Sequence, residues 1–234
     1  MKKSPILVFL FLFIAELIVV FLDFEIGEVL FKPLLCIWLL ACFALQTRPL
    51  QTDLKKWFAL ALVFSWLGDV LLLFARDHSM FFLLGLSAFL VAHIFYILFF
   101  HFVRVRERIK SRWWLVLPVA VYYGLLIALL NPYLGDMLLP VRIYGIVISF
   151  MLMLALHMIY INNKKAGQLM LLGAVLFVLS DSILAINKFY QPFEKAGVFI
   201  MLTYGLAQLF LTMGAIHYLL SASGSREEGK AGRV

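Results

Sequence analysis

Eight runs of apolar residues, each long enough to cross a lipid bilayer, leave almost none of this chain for any other kind of fold. A crossing helix needs about 20 mostly apolar residues. The runs cover about 5–22, 30–46, 57–75, 80–102, 113–130, 138–160, 167–187 and 196–220. The gaps between them are short and hold punctuating residues such as Thr47-Arg48-Pro49, Asn131-Pro132-Tyr133 and Asn162-Asn163-Lys164-Lys165. Of the 234 residues, 65% are hydrophobic and only 14% are charged, against about 25% charged in a soluble domain. That composition excludes a water-soluble globule and a disordered chain. The pattern predicts an all-α polytopic membrane protein, a bundle of eight transmembrane helices. It forms a single domain over residues 1–221, followed by a disordered tail over 222–234 that is Ser- and Gly-rich and then charged. Lys2 and Lys3 precede the first run as in a signal peptide, but no small-x-small cleavage site follows before Asp23 and Glu25. The first run is therefore read as a retained helix.

The net charge of +7 is distributed by side. Fifteen Lys and Arg residues fall in the N-terminus, in the gaps after helices 2, 4 and 6, and in the tail. The opposite side has five: Lys32, Arg76, Arg142, Lys188 and Lys195. By the positive-inside rule, both termini lie in the cytoplasm of a multi-pass cell-membrane protein. The same distribution removes nucleic acid as a partner. The basic run from Arg104 to Arg112 becomes a loop anchor at the lipid headgroups. Cys36 and Cys42 are six residues apart in one apolar run, off a shared helical face. They are expected to pack, without a disulfide or a metal.

Ionisable groups inside spans cost about 2.5–3.5 kcal/mol each on insertion scales and so mark function first. Asp69 lies well inside helix 3 and Asp181 well inside helix 7. Both helices run outward, so the two carboxyls fall at matched depth in the outer half. Singly, each has a structural reading, as a cap on a kinked helix or a partner for Lys; together they suggest convergence. Helix 4 carries His93 and Tyr96. Helix 8 carries Tyr204 and Gln208, one turn apart on one face. In structural roles, His93 would be a satisfied core histidine, and Tyr204 and Gln208 interhelical glue. Lys32-Pro33 is read as the outer opening of helix 2, because proline suits a first helical position. Lys32 and Lys188 then either snorkel or neutralise a phosphate or a carboxylate of the pocket. Glu16 has no obvious partner in the first span. His157 and His217 lie toward the cytoplasmic ends and are read as interfacial. A faint repeat relates the halves: Asp69 to Tyr96 and Asp181 to Gln208 are each 27 residues.

Taken together, Lys32-Pro33, Phe64-Ser65-x-x-Gly68-Asp69, Ala92-His93-x-x-Tyr96, Ser180-Asp181-x-x-Leu184-Ala185 with Lys188-Phe189, and Tyr204-x-x-x-Gln208 resemble the YhhN-like family. Its characterised members are lysoplasmalogenases. The resemblance runs from about residue 30 to 210. It implies an eight-helix membrane hydrolase with two essential acidic residues, carried over onto Asp69 and Asp181. The substrate implied is a lysophospholipid, a lysoplasmenyl-ethanolamine or -choline, whose vinyl ether is cleaved to a fatty aldehyde and a glycerophospho-alcohol.

The residues suit that chemistry. Vinyl ether hydrolysis begins with protonation of the outer vinyl carbon and passes through an oxocarbenium ion. Two carboxyls in one pocket can divide into a proton donor and an anion, as glycosidase carboxyls do. Ser180 and Ser182 flank Asp181 and favour it as the anion, leaving Asp69 as the acid. His93, Tyr96, Ser180, Tyr204 and Gln208 are expected to orient water or the glycerol hydroxyl, and Lys32 and Lys188 to meet the phosphate. No cofactor and no metal is required. A zinc hydrolase would need converging histidines, and His93, His157 and His217 are scattered in depth. The rival from another class is a proton- or cation-coupled transporter using the paired carboxylates. Prolines placed at span ends (Pro33, Pro118, Pro132, Pro140, Pro192) argue against its broken helices.

Overall fold

A computed structural model of the chain describes residues 3–76 and 78–231. These form eight α-helices, several short 3-10 turns and one π-helical turn, with no strand among the described residues. The helices are α1 (Lys3–Phe21), α2 (Glu25–Thr47), α3 (Leu54–Leu73), α4 (Ser79–Arg106), α5 (Val116–Leu130), α6 (Leu138–His157), α7 (Lys164–Ala185) and α8 (Ala196–Ala231). α8 thus continues through the segment from residue 222 that was read as a disordered tail.

Seven of the eight, α2 to α8, belong to segments long and apolar enough to cross a membrane. The apolar part of α1, Pro5–Phe21, falls short of that length. At about 1.5 Å per residue it spans about 26 Å, against a hydrocarbon core of about 30 Å. The bundle thus has eight helices, seven of them of spanning length among the described residues. Lipid-facing stripes are plain on the outside. Phe11, Ile14 and Ile18 on α1, and Leu117, Val121 and Leu125 on α5, recur at helical spacing and are all exposed. Water would not tolerate such stripes on a monomeric surface.

A correction concerns α2. It begins at Glu25, so Pro33 lies inside the helix instead of opening it. Glu25 and Glu28 fill the first turn, where negative charge complements the helix dipole. Pro33 removes the hydrogen bond that the Val29 carbonyl would otherwise accept, and apolar surroundings tolerate this where neighbouring groups compensate.

The closest helix pairs are α3 with α4 and α7 with α8. Small residues permit the second pairing. A Cβ on Gly173 would lie 2.9 Å from the Ala207 carbonyl oxygen, and one on Gly214 would lie 3.0 Å from that of Ala166. The core among α2, α3 and α4 is aromatic: Phe58 packs on Phe43, Tyr96 and Phe99 at centroid distances of 4.8, 5.5 and 5.1 Å.

The two ends differ. At the end holding the α4–α5 loop, Asn162 donates to Glu107 through its backbone nitrogen and its side chain, at 3.2 and 2.8 Å, and Tyr218 donates to the same carboxylate at 3.2 Å. His157 is buried there, which corrects its interfacial reading. Its Nδ1 lies 2.8 Å from the Met153 carbonyl oxygen and its Nε2 accepts from the Arg112 backbone at 3.1 Å. At the opposite end, the α1–α2, α3–α4 and α7–α8 connections surround an open polar cavity.

Candidate active site

Four of the residues singled out from the sequence form one buried chain of hydrogen bonds. Tyr96 on α4 donates to Gln208 Oε1 at 2.8 Å, Gln208 donates to the Tyr204 hydroxyl at 3.2 Å, and Tyr204 donates to Asp69 Oδ2 at 2.7 Å. Tyr204 and Gln208 share a face of α8 because they are one turn apart. Asp69 on α3 meets them across the bundle and is itself buried. Its second donor is Cys36, whose Sγ lies 3.2 Å from Oδ2 and 3.3 Å from the Tyr204 hydroxyl. Cys36 is free, as is Cys42. Sequence reasoning left Cys36 as packing. The available signal was its position four residues after Lys32, on the same face of α2.

Asp181 occupies a second cluster. Tyr144 on α6 donates to its Oδ2, and His93 Nε2 stands 4.0 Å from the same oxygen. His93 is fully buried, and neither ring nitrogen has a hydrogen-bond partner among the described residues. Its ring lies 5.4 Å from that of Tyr144 and 4.7 Å from that of Phe177. Tyr144 was missed, since a lone tyrosine in an apolar span usually means an interface. The flanking serines face elsewhere, because neighbours on a helix point about 100° apart. Ser180 donates to the Ile200 carbonyl at 3.0 Å. Ser182 donates to the Val178 carbonyl at 2.5 Å and meets the Tyr122 hydroxyl. Neither serine hydroxyl therefore supports the expectation that made Asp181 the anion and Asp69 the acid.

No hydrogen bond or ion pair among the described residues joins Asp69 to Asp181. Phe177 stands between their partners, 5.4 Å from Tyr204 and 4.7 Å from His93. Phe89 packs edge-on against both Phe177 and Tyr204. Gly68, next to Asp69, lets Phe89 approach: a Cβ there would sit 2.6 Å from its ring. The space beside Gly68 is thus filled by an aromatic side chain of the protein.

The two carboxyls also differ in access. The Asp181 side chain is 17% exposed and lines two narrow apolar clefts. One is walled by Leu72, Phe82, Leu86, Phe89 and Phe189, the other by Tyr122, Leu126, Ile127 and Ile148, and Tyr144 borders both. Beyond the first cleft lies a polar cavity of about 840 Å³. The two share Leu72, Phe82 and Leu184 as common lining side chains. Lys32 and Lys188 line this cavity together with Glu16, Glu28, Glu194 and Lys195. Lys188 also lies 5.1 Å over the Phe82 ring. It is carried there by the π-helical turn Ile186–Tyr190 at the end of α7, a wider turn often found at functional sites. Lys195 rims the opening, donating to the Phe21 carbonyl at 2.8 Å and pairing with Asp23 at 3.6 Å.

The YhhN family model matches residues 27–215. Human "Lysoplasmalogenase TMEM86B" is 33% identical over 188 residues, which cover 79% of this chain and 72% of that protein. Human "Lysoplasmalogenase TMEM86A" is 32% identical over 193 residues, 79% of this chain and 75% of the relative. A "Lysoplasmalogenase" of Mycobacterium tuberculosis is 29% identical over 187 residues, 79% of this chain and 68% of the relative. No solved structure matches the chain.

Proposed function

The chain belongs to the YhhN family, and from that premise we propose that it is a lysoplasmalogen hydrolase, a multi-pass membrane enzyme that cleaves the vinyl ether of a lysoplasmenyl-ethanolamine or -choline. The observation that carries the reading is a carboxyl in a greasy slot beside a polar chamber lined by both lysines and acids. Asp181 lines the apolar cleft, and the cleft shares lining side chains with the cavity that holds Lys32 and Lys188. The cavity has room for a phosphate among its lysines, and the cleft, at about 40 Å³, has room for only the ether end of the chain.

In this mechanism Asp181 is the group that touches the reacting atoms. Its carboxylic acid gives a proton to the outer vinyl carbon. The double bond supplies the electrons for the new C–H bond, and an oxocarbenium ion forms on the inner carbon. The aspartate left behind is the negative group beside that cation. Water adds to the cationic carbon and returns a proton to Asp181, giving a hemiacetal. The hemiacetal hydroxyl loses its proton as the carbonyl forms, and the glycerol oxygen leaves with a proton. The sum is substrate plus water to fatty aldehyde plus glycerophospho-alcohol, with the acid regenerated. Tyr144 holds Asp181 in place. Asp69, enclosed by Tyr204 and Cys36, fixes the position of α8 behind the Phe89–Phe177 wall. The carboxyl serves as the acid, so the reaction is expected to need no metal.

The test is aldehyde release by the purified protein in detergent from lysoplasmenylethanolamine. Activity is expected to survive chelators and to vanish in Asp181→Asn with the protein still folded. Loss of activity on chelation with recovery on adding zinc would overturn the mechanism. One observation favours the transporter reading: Pro33 inside α2, one residue from Lys32. That reading predicts proton or cation uptake into proteoliposomes and no aldehyde. The charge distribution supports a cytoplasmic position for both termini, and cysteine labelling of single-cysteine variants at Ser4 and Ser223 in sealed cells tests this.

A further inference from the structure

Glu16 is the buried acid that the mechanism above does not use. It lies within α1, is fully buried, and neither carboxylate oxygen has a hydrogen-bond partner among the described residues. A buried polar group left in that condition is costly and calls for a partner. Glu16 nevertheless lines the 840 Å³ cavity, so a donor delivered into that cavity can satisfy it. It also precedes the segment that the family model matches, residues 27–215.

Position identifies the donor. Lys32 lines the same cavity as Glu16. Glu16 lies five residues before the end of α1, about 7.5 Å below the rim. Asp23, Glu194 and Lys195 stand nearer the mouth of the same cavity. A lysophospholipid with its ether in the Asp181 cleft and its phosphate on Lys32 holds its free glycerol hydroxyl between the two. Its headgroup amine reaches outward, toward the acids of the rim. We infer that Glu16 is a specificity residue that accepts a hydrogen bond from the free 2-hydroxyl of a one-chain glycerophospholipid. A second acyl chain at that carbon would remove the donor and leave the carboxyl buried and unpaired, so the site selects the lyso form.

This inference rests on the proposed site but is tested by binding, independently of turnover. The probe is a saturated 1-O-alkyl-2-hydroxy-glycerophosphoethanolamine, which lacks the cleavable double bond, compared with its 2-deoxy analogue. The full chain in nanodiscs is expected to bind the hydroxyl form about tenfold more tightly, a difference of about 1.4 kcal/mol. Glu16→Ala should bring the ratio to one. Glu16→Gln keeps an accepting carbonyl and a similar volume, and should restore part of it. It also serves if the alanine variant fails to fold. The inference is overturned by a ratio of one in the parent protein, or by an unchanged ratio in Glu16→Ala. It is equally overturned if the loss follows the headgroup amine, read with a phosphoglycerol lipid, and not the hydroxyl. A preserved ratio without aldehyde release from the vinyl ether lipid would sink the hydrolase reading and leave this one standing.

Discussion

At the end that carries the α4–α5 loop, most polar groups are consumed by one another, Arg104 Nε being buried without a partner among the described residues. Glu107 takes three donors from Asn162 and Tyr218, and His157 is bonded at both ring nitrogens. At the opposite end, Glu16 is buried with both oxygens unmatched, and lysines face a cavity of about 840 Å³. Buried polar groups in a finished structure are normally satisfied. A region that leaves them open is organised for something that arrives from outside. The contrast separates residues that hold the bundle shut from residues that wait for a ligand.

Substitutions can break that contrast or sharpen it. The largest effect is expected from Asp181→Asn, which should lower aldehyde release by about 10³-fold while the melting temperature in detergent stays within a degree or two. A large fall in melting temperature would place Asp181 with the closing groups instead. Next comes His157→Ala at the opposite end. It removes a buried ring and both of its hydrogen bonds, and should destabilise the protein by about 1–3 kcal/mol, read by thermal melting, without changing KM. Lys32→Ala should reverse that pattern. KM for a lysophospholipid rises about tenfold, kcat changes little, and melting is unaffected. The smallest effect is expected from Glu107→Gln, a half-buried acceptor whose charge loss should cost about 1 kcal/mol or less and leave kinetics untouched.

What could be read before any coordinates depended on how unusual each residue is in its setting. An aspartate or glutamine in the middle of an apolar run is conspicuous, so Asp69, Asp181 and Gln208 were legible, and i,i+4 spacing joined Tyr204 to Gln208. Tyr144 and Cys36 were not, because tyrosine and cysteine are ordinary occupants of such runs and only their partners distinguish them. Ser180 and Ser182 misled through adjacency: residues beside Asp181 in sequence point away from it on a helix. Pro33 misled because proline usually begins a helix, whereas two glutamates eight and five residues earlier had already begun this one. His157 looked like a surface residue because its depth was judged from the span alone, and the Arg112 backbone that meets it belongs to a distant loop.

The seam between α7 and α8 has no room for one added methyl at Gly173 or Gly214. Those two helices therefore act as a single stiff strut, and the strut carries Asp181 on one side and Tyr204 on the other. α5 buries only Val119 and Leu130 along its length, and it borders the second cleft beside Asp181. α5 is thus the least embedded wall around Asp181, set against that strut.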